Sequence, residues 1–142
     1  MNILNIGTKN RSIGNLGEDA AANHLKKNGY KVVKRNYVAN DAEIDVIATR
    51  DDILAFVEVK TRNIKWLGSK FDRPSAAVTP EKQRKIIKAA SRFIGYKYKN
   101  FKKRFDVIEV YTDSVDGKDI IKEIRHLENT FDVNTAYHKG KY

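Results

Sequence analysis

Apolar positions along the chain follow two different periods, and the switches between them mark out the elements. Ile13, Leu16, Ala20, Ala21 and Leu25 recur at helical spacing, so a helix is predicted from Ile13 up to a stop at Gly29 in "NGY". Residues 1–12 show no periodicity and are expected to form a loose leader. "YKVVKRNYV" (30–38) reads as a strand and "ND" as a turn; residues 43–48 and 53–61 then read as two strands of a hairpin with "TRDD" as its turn. Between Arg62 and Val78 the pattern lapses into a long loop that carries Lys65, Trp66, Lys70 and Arg73, and loops of that length are commonly functional or mobile. Thr79 caps a second long helix with Pro80 at its first position, Glu81 in its first turn, and Ile86, Ile87, Ala90, Phe93 and Ile94 as its buried stripe. "RFDVIEVYT" (104–112) is a further strand, and "IIKEIRHLE" is read as the last, with a helical alternative. The order α, β, β, β, α, β, β predicts one α/β domain over residues 1–142, with 132–142 as a poorly ordered tail.

Within the hairpin, Asp45, Glu58 and Lys60 stand where aliphatic residues would serve a core strand better. Side chains alternate with a period of two, so a two- or four-residue connection that pairs Ala48 with Ile53 places Asp45 across from Phe56 and diagonal to Glu58. Diagonal neighbours lie roughly 7–8 Å apart at the backbone, near enough for one cation to bridge two carboxylates. Ile44, Val46, Val57 and Val59 form the opposite, plain core face. Leu54 and Phe56 flank Glu58 and partly desolvate it, and an unpaired buried charge costs several kcal/mol, so a partner is needed. Lys60 alone would make a satisfied ion pair but would leave Asp45 without a partner, which favours a metal. Glu18 offers a third carboxylate from the first helix, where Gly14, Ala21 and Ala22 leave room for close approach to a sheet; the alternative is a first-turn acid favoured by the helix dipole. Three oxygen ligands suit Mg²⁺ or Mn²⁺, and Lys60 would add a positive donor aimed at an attacking water or at transition-state oxygens.

Charge adds a partner to that chemistry. The 142 residues include 28 Lys and Arg against 18 Asp and Glu, a formal charge of +10 that suits a phosphate-rich partner, and nucleic acid is the expectation. With no cysteine, disulfides and thiolate metal sites are excluded. No apolar run approaches the roughly 20 residues of a membrane span, so a cytoplasmic protein without membrane contact is expected. Lys82 and Gln83 continue the buried stripe of the second long helix toward its start, which would bring them to the edge of the acidic site to meet phosphate; a solvated first turn is the alternative. Lys85, Lys88 and Arg92 could follow a nucleic-acid backbone or form a wet face, Arg62 and Lys65 flank the loop as further contacts, and Trp66 could stack on an unpaired base or pack. Glu43 alternates with Asp45 and is a supporting acid. His24, His126 and His138 lack metal-ligand spacing, and Arg104 with Asp106 reads as a structural pair.

Glu18 on an opening helix followed by Asp45, Glu58 and Lys60 as D-x12-E-V-K resembles the active-site signature of the PD-(D/E)XK nucleases. More narrowly, "LGEDAAANHLKKNGYKVVKRNY", "EIDVIA", "FVEVKTR", "TPEKQRKI" and "RFDVIEV" resemble the YraN family of small bacterial endonuclease-like proteins, itself similar to archaeal Holliday-junction resolvases; the match covers roughly residues 13–127. The resemblance implies a restriction-endonuclease-like αβββαβ core with a central mixed sheet flanked by helices, Mg²⁺ or Mn²⁺ held by Glu18, Asp45, Glu58 and the Val59 carbonyl, and a catalytic Lys60 beside Asp45 and Glu58. It implies a DNA substrate, branched or irregular DNA included, and, for a junction resolvase, a homodimer. One letter departs from the family: Ala42 stands where Gly usually precedes "EID", and would be strained if that position takes a positive φ.

Overall fold

Two tight turns organise the first half of the sheet. Strand β1 (Lys31–Ala39) returns as β2 (Ala42–Arg50) through Asn40 and Asp41 at φ 53° and 61°, and β2 returns as β3 (Ile53–Asn63) through Asp51 at φ 54° and Asp52. Asn and Asp are the residues other than glycine that tolerate this left-handed region. Ala42 is not among the positive-φ residues; it pairs with Ala39 and packs partly buried against the core, so its methyl group is accommodated.

The computed structural model describes residues 4–67 and 78–138, with side chains described for residues 15–67 and 78–137. Its single sheet runs β1-β2-β3-β4-β5, with β4 (Lys102–Val115) parallel to β3 and the other pairs, including β4 with β5 (Lys118–Phe131), antiparallel. The parallel pair requires a crossover, which runs through the short α2 (Ile64–Leu67) and through α3 (Pro80–Ile94). Thr79 caps α3 by accepting the Lys82 N–H at 3.2 Å. Lys70 and Arg73 lie outside the described residues.

Helix α1 (Leu4–Lys27) covers one face of the sheet, where Ala21 and Leu25 pack with Val46, Ala48, Ala55, Val57, Ile108 and Val110. On the other face Ile86, Ala89 and Ala90 of α3 meet Ile44, Ile47, Leu54, Phe56, Phe105 and Val107. This mixed sheet between helices is the restriction-endonuclease-like αβββαβ core, extended by one strand. Parts of the two expected tails are helical, while residues 1–3 and 139–142 lie outside the described residues. The first helix begins at Leu4 and not at Ile13, since a nucleated helix gains a backbone bond with each residue it adds even without an apolar stripe. Residues 133–138 form α4 (Val133–His138), held by Asp132 capping the Thr135 N–H at 3.0 Å and by Arg84 donating to the Ala136 carbonyl at 2.8 Å. Among the described residues no helix is long and apolar enough to cross a membrane.

Candidate functional site

The β2–β3 hairpin keeps the expected parity but shifts in register. Arg50 pairs with Ile53 and Ala48 with Ala55, so only Asp51 and Asp52 form the loop and Ala48 does not pair with Ile53. The shift is an even number of residues, so Asp45 falls level with Glu58 and not with Phe56, but the ladder ends one pair earlier, at Val46 and Val57. Alternation also breaks across Asp45. Val46 faces α1, whereas Ile44 turns to the α3 core that holds Ile47, so Ile44 does not share the face of Val46. Where β2 leaves β3, the Val59 N–H loses a strand partner and donates instead to Asp45 Oδ2 at 2.8 Å. The N–H and C=O of one strand residue project to the same side, so the Val59 carbonyl opens onto the same gap.

Close helix packing brings Glu18 to this gap. Gly17 lies against Thr61 of β3 so closely that an added Cβ would stand 1.9 Å from Thr61 Oγ1. Gly17 therefore lets α1 approach the sheet this closely; the expectation for Gly14 falls outside the residues whose side chains are described. Next to it Glu18 Oε1 accepts from Asn36 Nδ2 at 3.0 Å, with Arg35 Nη2 3.9 Å away. Glu58, with its side chain 13% exposed, pairs with Lys82 of α3 through Oε1, while its buried Oε2 has no hydrogen-bond partner.

Asp45 carries the electrostatic signature of the cluster. Burial pushes its carboxyl up to about 7; the Val59 N–H works in the opposite direction, and the charges of Glu18, Glu58 and Glu43 add to the rise. Burial lowers the Lys60 ammonium, against the pull of Glu58 and with Arg62 and Lys82 adding to the fall. Among the described residues no three carboxylate or imidazole side chains stand close enough to hold one cation. The donors nevertheless have the chemistry of a hard-cation site: carboxylate oxygens, one of them buried and unpaired, around an Asp whose charge its acidic neighbours oppose. Lys82 now supplies the positive charge at Glu58.

The expected nucleic-acid contacts separate. Lys82 and Lys85 line an open depression of about 370 Å³ with Asp41, Thr79 and Glu81, and Lys88 and Arg92 are exposed on the same helix. Gln83 is not a surface residue: it is 4% exposed, donates to the Val78 carbonyl at 2.7 Å and accepts from Thr135 Oγ1 at 3.2 Å. Trp66 is 85% exposed, which rules out the packing role in this structure. Lys65 reaches back to Asp113 and the Ser114 carbonyl of β4, and the Arg62 carbonyl accepts from Thr112. Arg104 and Asp106 form the structural pair expected of them.

Two residues escaped the sequence reading. Asn36, in the middle of a strand, has φ 53° and holds Glu18; an Asn inside a strand-like run was the available signal. Glu109 stands level with Lys60 on β4, 1% exposed, with Tyr111 Oη donating to Oε1 at 2.8 Å and Oε2 unpaired. It is a charge in the apolar run "FDVIEVY", the same anomaly that marked Asp45 and Glu58.

Residues 17–110, which hold the whole acidic cluster, match the model of "Uncharacterised protein family UPF0102". The chain belongs to UPF0102, the YraN family. It is 38% identical to the UPF0102 protein of Flavobacterium johnsoniae over 127 residues, covering 87% of this chain and 96% of that one. The UPF0102 protein of Clostridium perfringens is 44% identical over 102 residues, 71% of this chain and 80% of its own. That of Caldanaerobacter subterraneus is 38% identical over 122 residues, 85% and 95% of the respective chains. These alignments cover 71% to 87% of this chain.

Proposed function

We propose that this UPF0102 protein is a divalent-metal-dependent endonuclease-like protein that hydrolyses DNA phosphodiester bonds, with branched or irregular DNA as the first substrates to examine. The observation that carries this reading is Asp45: a carboxylate at the point where two strands part, bonded to the Val59 N–H and pressed by Glu18, Glu58 and Glu43, with Lys60 on the adjoining strand. Glu18, Asp45 and Glu58 would hold Mg²⁺ or Mn²⁺, with the Val59 carbonyl as a further oxygen. When bound, such an ion lowers the pKa of water and neutralises charge that develops on phosphate.

The chain's own residues divide the remaining work. Lys60 extends from the same strand as Glu58, and its ammonium would donate to a non-bridging phosphate oxygen or orient the attacking water. Lys82, paired with Glu58 in this structure, would be free to meet the phosphate backbone were Glu58 to hold a cation, with Lys85, Lys88 and Arg92 along the exposed side of α3. Trp66, standing out in solvent, is available to stack on an unpaired base.

A second reading, a nucleic-acid-binding module of the same fold without turnover, draws support from the Lys82 contact that fills the cation's place. One experiment separates the two: linear, single-stranded and four-way-junction DNA are incubated with the protein in Mg²⁺ or Mn²⁺, beside Glu58→Ala and Lys60→Ala. Cleavage abolished by both substitutions is the expected result. Cleavage that survives both unchanged sinks the proposed site, and binding that falls steeply with salt but never leads to cleavage favours the module.

A further inference from the structure

Asn36 is an anomaly within β1. Its neighbours Arg35 and Tyr37 keep their places in the ladder, opposite Val46 and Ile44, which puts Asn36 opposite Asp45. Its own backbone takes φ 53°, a conformation that strand residues avoid and that Asn tolerates better than most. The break in side-chain alternation on β2, where Ile44 and Val46 face opposite sides, falls at this same level. The turn of the backbone is matched by a contact. Asn36 Nδ2 donates to Glu18 Oε1 at 3.0 Å, so the carboxylate from α1 is held from β1. Arg35 supports the same corner, with Nη2 2.7 Å from Asp19 Oδ1 and 3.9 Å from Glu18 Oε1.

We propose that Asn36 is a positioning residue of the candidate site: its left-handed backbone and its side-chain amide together orient Glu18 toward the Asp45 level of the sheet. The proposal rests on the reading of Glu18, Asp45 and Glu58 as a cation site. A donor that orients a metal-ligating carboxylate typically contributes about 10–100-fold in metal affinity. The backbone and the amide are separable by substitution, because glycine keeps the positive φ and loses only the amide, whereas alanine loses both.

The test is Mn²⁺ titration by calorimetry, beside thermal melting without metal, of the wild type, Asn36→Gly, Asn36→Ala and Asp45→Ala. Asn36→Gly is expected to melt close to the wild type yet bind Mn²⁺ about tenfold more weakly. Asn36→Ala is expected to lose both affinity and melting temperature. If the wild type binds Mn²⁺ through a site removed by Asp45→Ala, and Asn36→Gly binds it equally well, the positioning role is overturned and the cation site stands. If the wild type shows no binding that Asp45→Ala removes, the cation reading fails and the positioning role falls with it.

Discussion

Asp45 on β2 and Asp106 on β4 are aspartates withdrawn into the same sheet, and their surroundings are opposite. Asp106 is 1% exposed and ringed by donors: Arg104 Nε at 2.9 Å from Oδ1, Arg104 Nη2 and His126 Nε2 each 2.8 Å from Oδ2, and the Asn129 N–H 2.9 Å from Oδ1. Burial raises its carboxyl, yet His126, Arg104 and the Asn129 N–H together bring it below its ordinary value. Asp45 is half-buried, with one backbone donor and three acidic neighbours, and ends near 7. The more deeply buried of the two is the one whose carboxyl is lowered, so partners outweigh burial here. A buried carboxylate given enough donors locks the fold, while one left among its own kind is held against electrostatic repulsion, which a cation in the proposed site would relieve.

The largest effect expected from this contrast is on stability. Asp106→Ala removes the partner of Arg104 and His126 and should destabilise by about 3–5 kcal/mol in urea denaturation. Asp45→Asn, which relieves repulsion and keeps an acceptor for the Val59 N–H, should be neutral or stabilising without metal. Equal losses in the two variants would erase the distinction.

Next comes the contact that brings Glu18 to Asp45. Gly17→Ala drives a methyl into Thr61 and should cost about 1–3 kcal/mol as overpacking. Gly17→Ala combined with Thr61→Ala should recover most of it, and a full-sized loss in the double variant would show that the close approach is not the cause.

These two tests also show how far the residues alone could be read. Period two holds through the paired residues from Val46 to Arg50 and Ile53 to Val57, because an even shift in register leaves parity untouched, but Asp45, Glu58 and Lys60 lie beyond the last pair. The register itself was not legible, since "TRDD" does not say whether two or four residues turn. Nor was the reversal of Ile44: it follows from β2 parting from β3, a tertiary event with no local code. The close approach at Gly17 was not legible either, since it depends on the position of Thr61. Asn36 and Glu109 were visible as polar letters in strand-like runs, but their roles depend on which element lies across from them.

Acid response should separate the two aspartates by sign. A carboxyl raised in the folded state contributes stability below its unfolded value, near 3.8, and that contribution is lost as pH rises through about 7. The lowered Asp106 contributes above its unfolded value and loses that contribution as pH falls through its folded one. Without metal, the stability advantage of Asp45→Asn over the wild type should therefore grow between about pH 4 and 7 and then level off, by about 1–2 kcal/mol once solvent relaxation is allowed for. Chemical denaturation at several pH values reads this directly, and an advantage that does not change with pH would remove the electrostatic account of Asp45.

The smallest expected effect is at Lys82, and it bears most directly on what the acidic cluster is for. Its side chain is 53% exposed, so the ion pair with Glu58 should be worth less than about 1 kcal/mol, and Lys82→Met should barely move the melting temperature. The same ammonium competes for Glu58 with any other cation. Its removal should tighten Mn²⁺ binding by up to about fivefold, the equivalent of that energy, while weakening DNA binding through the loss of one phosphate contact. A pair that only locked the fold, as Arg104 and Asp106 do, would show the reverse: lost stability and no gain in metal affinity. Unchanged Mn²⁺ affinity in Lys82→Met would place Glu58 with Asp106, among the carboxylates already satisfied by the chain itself.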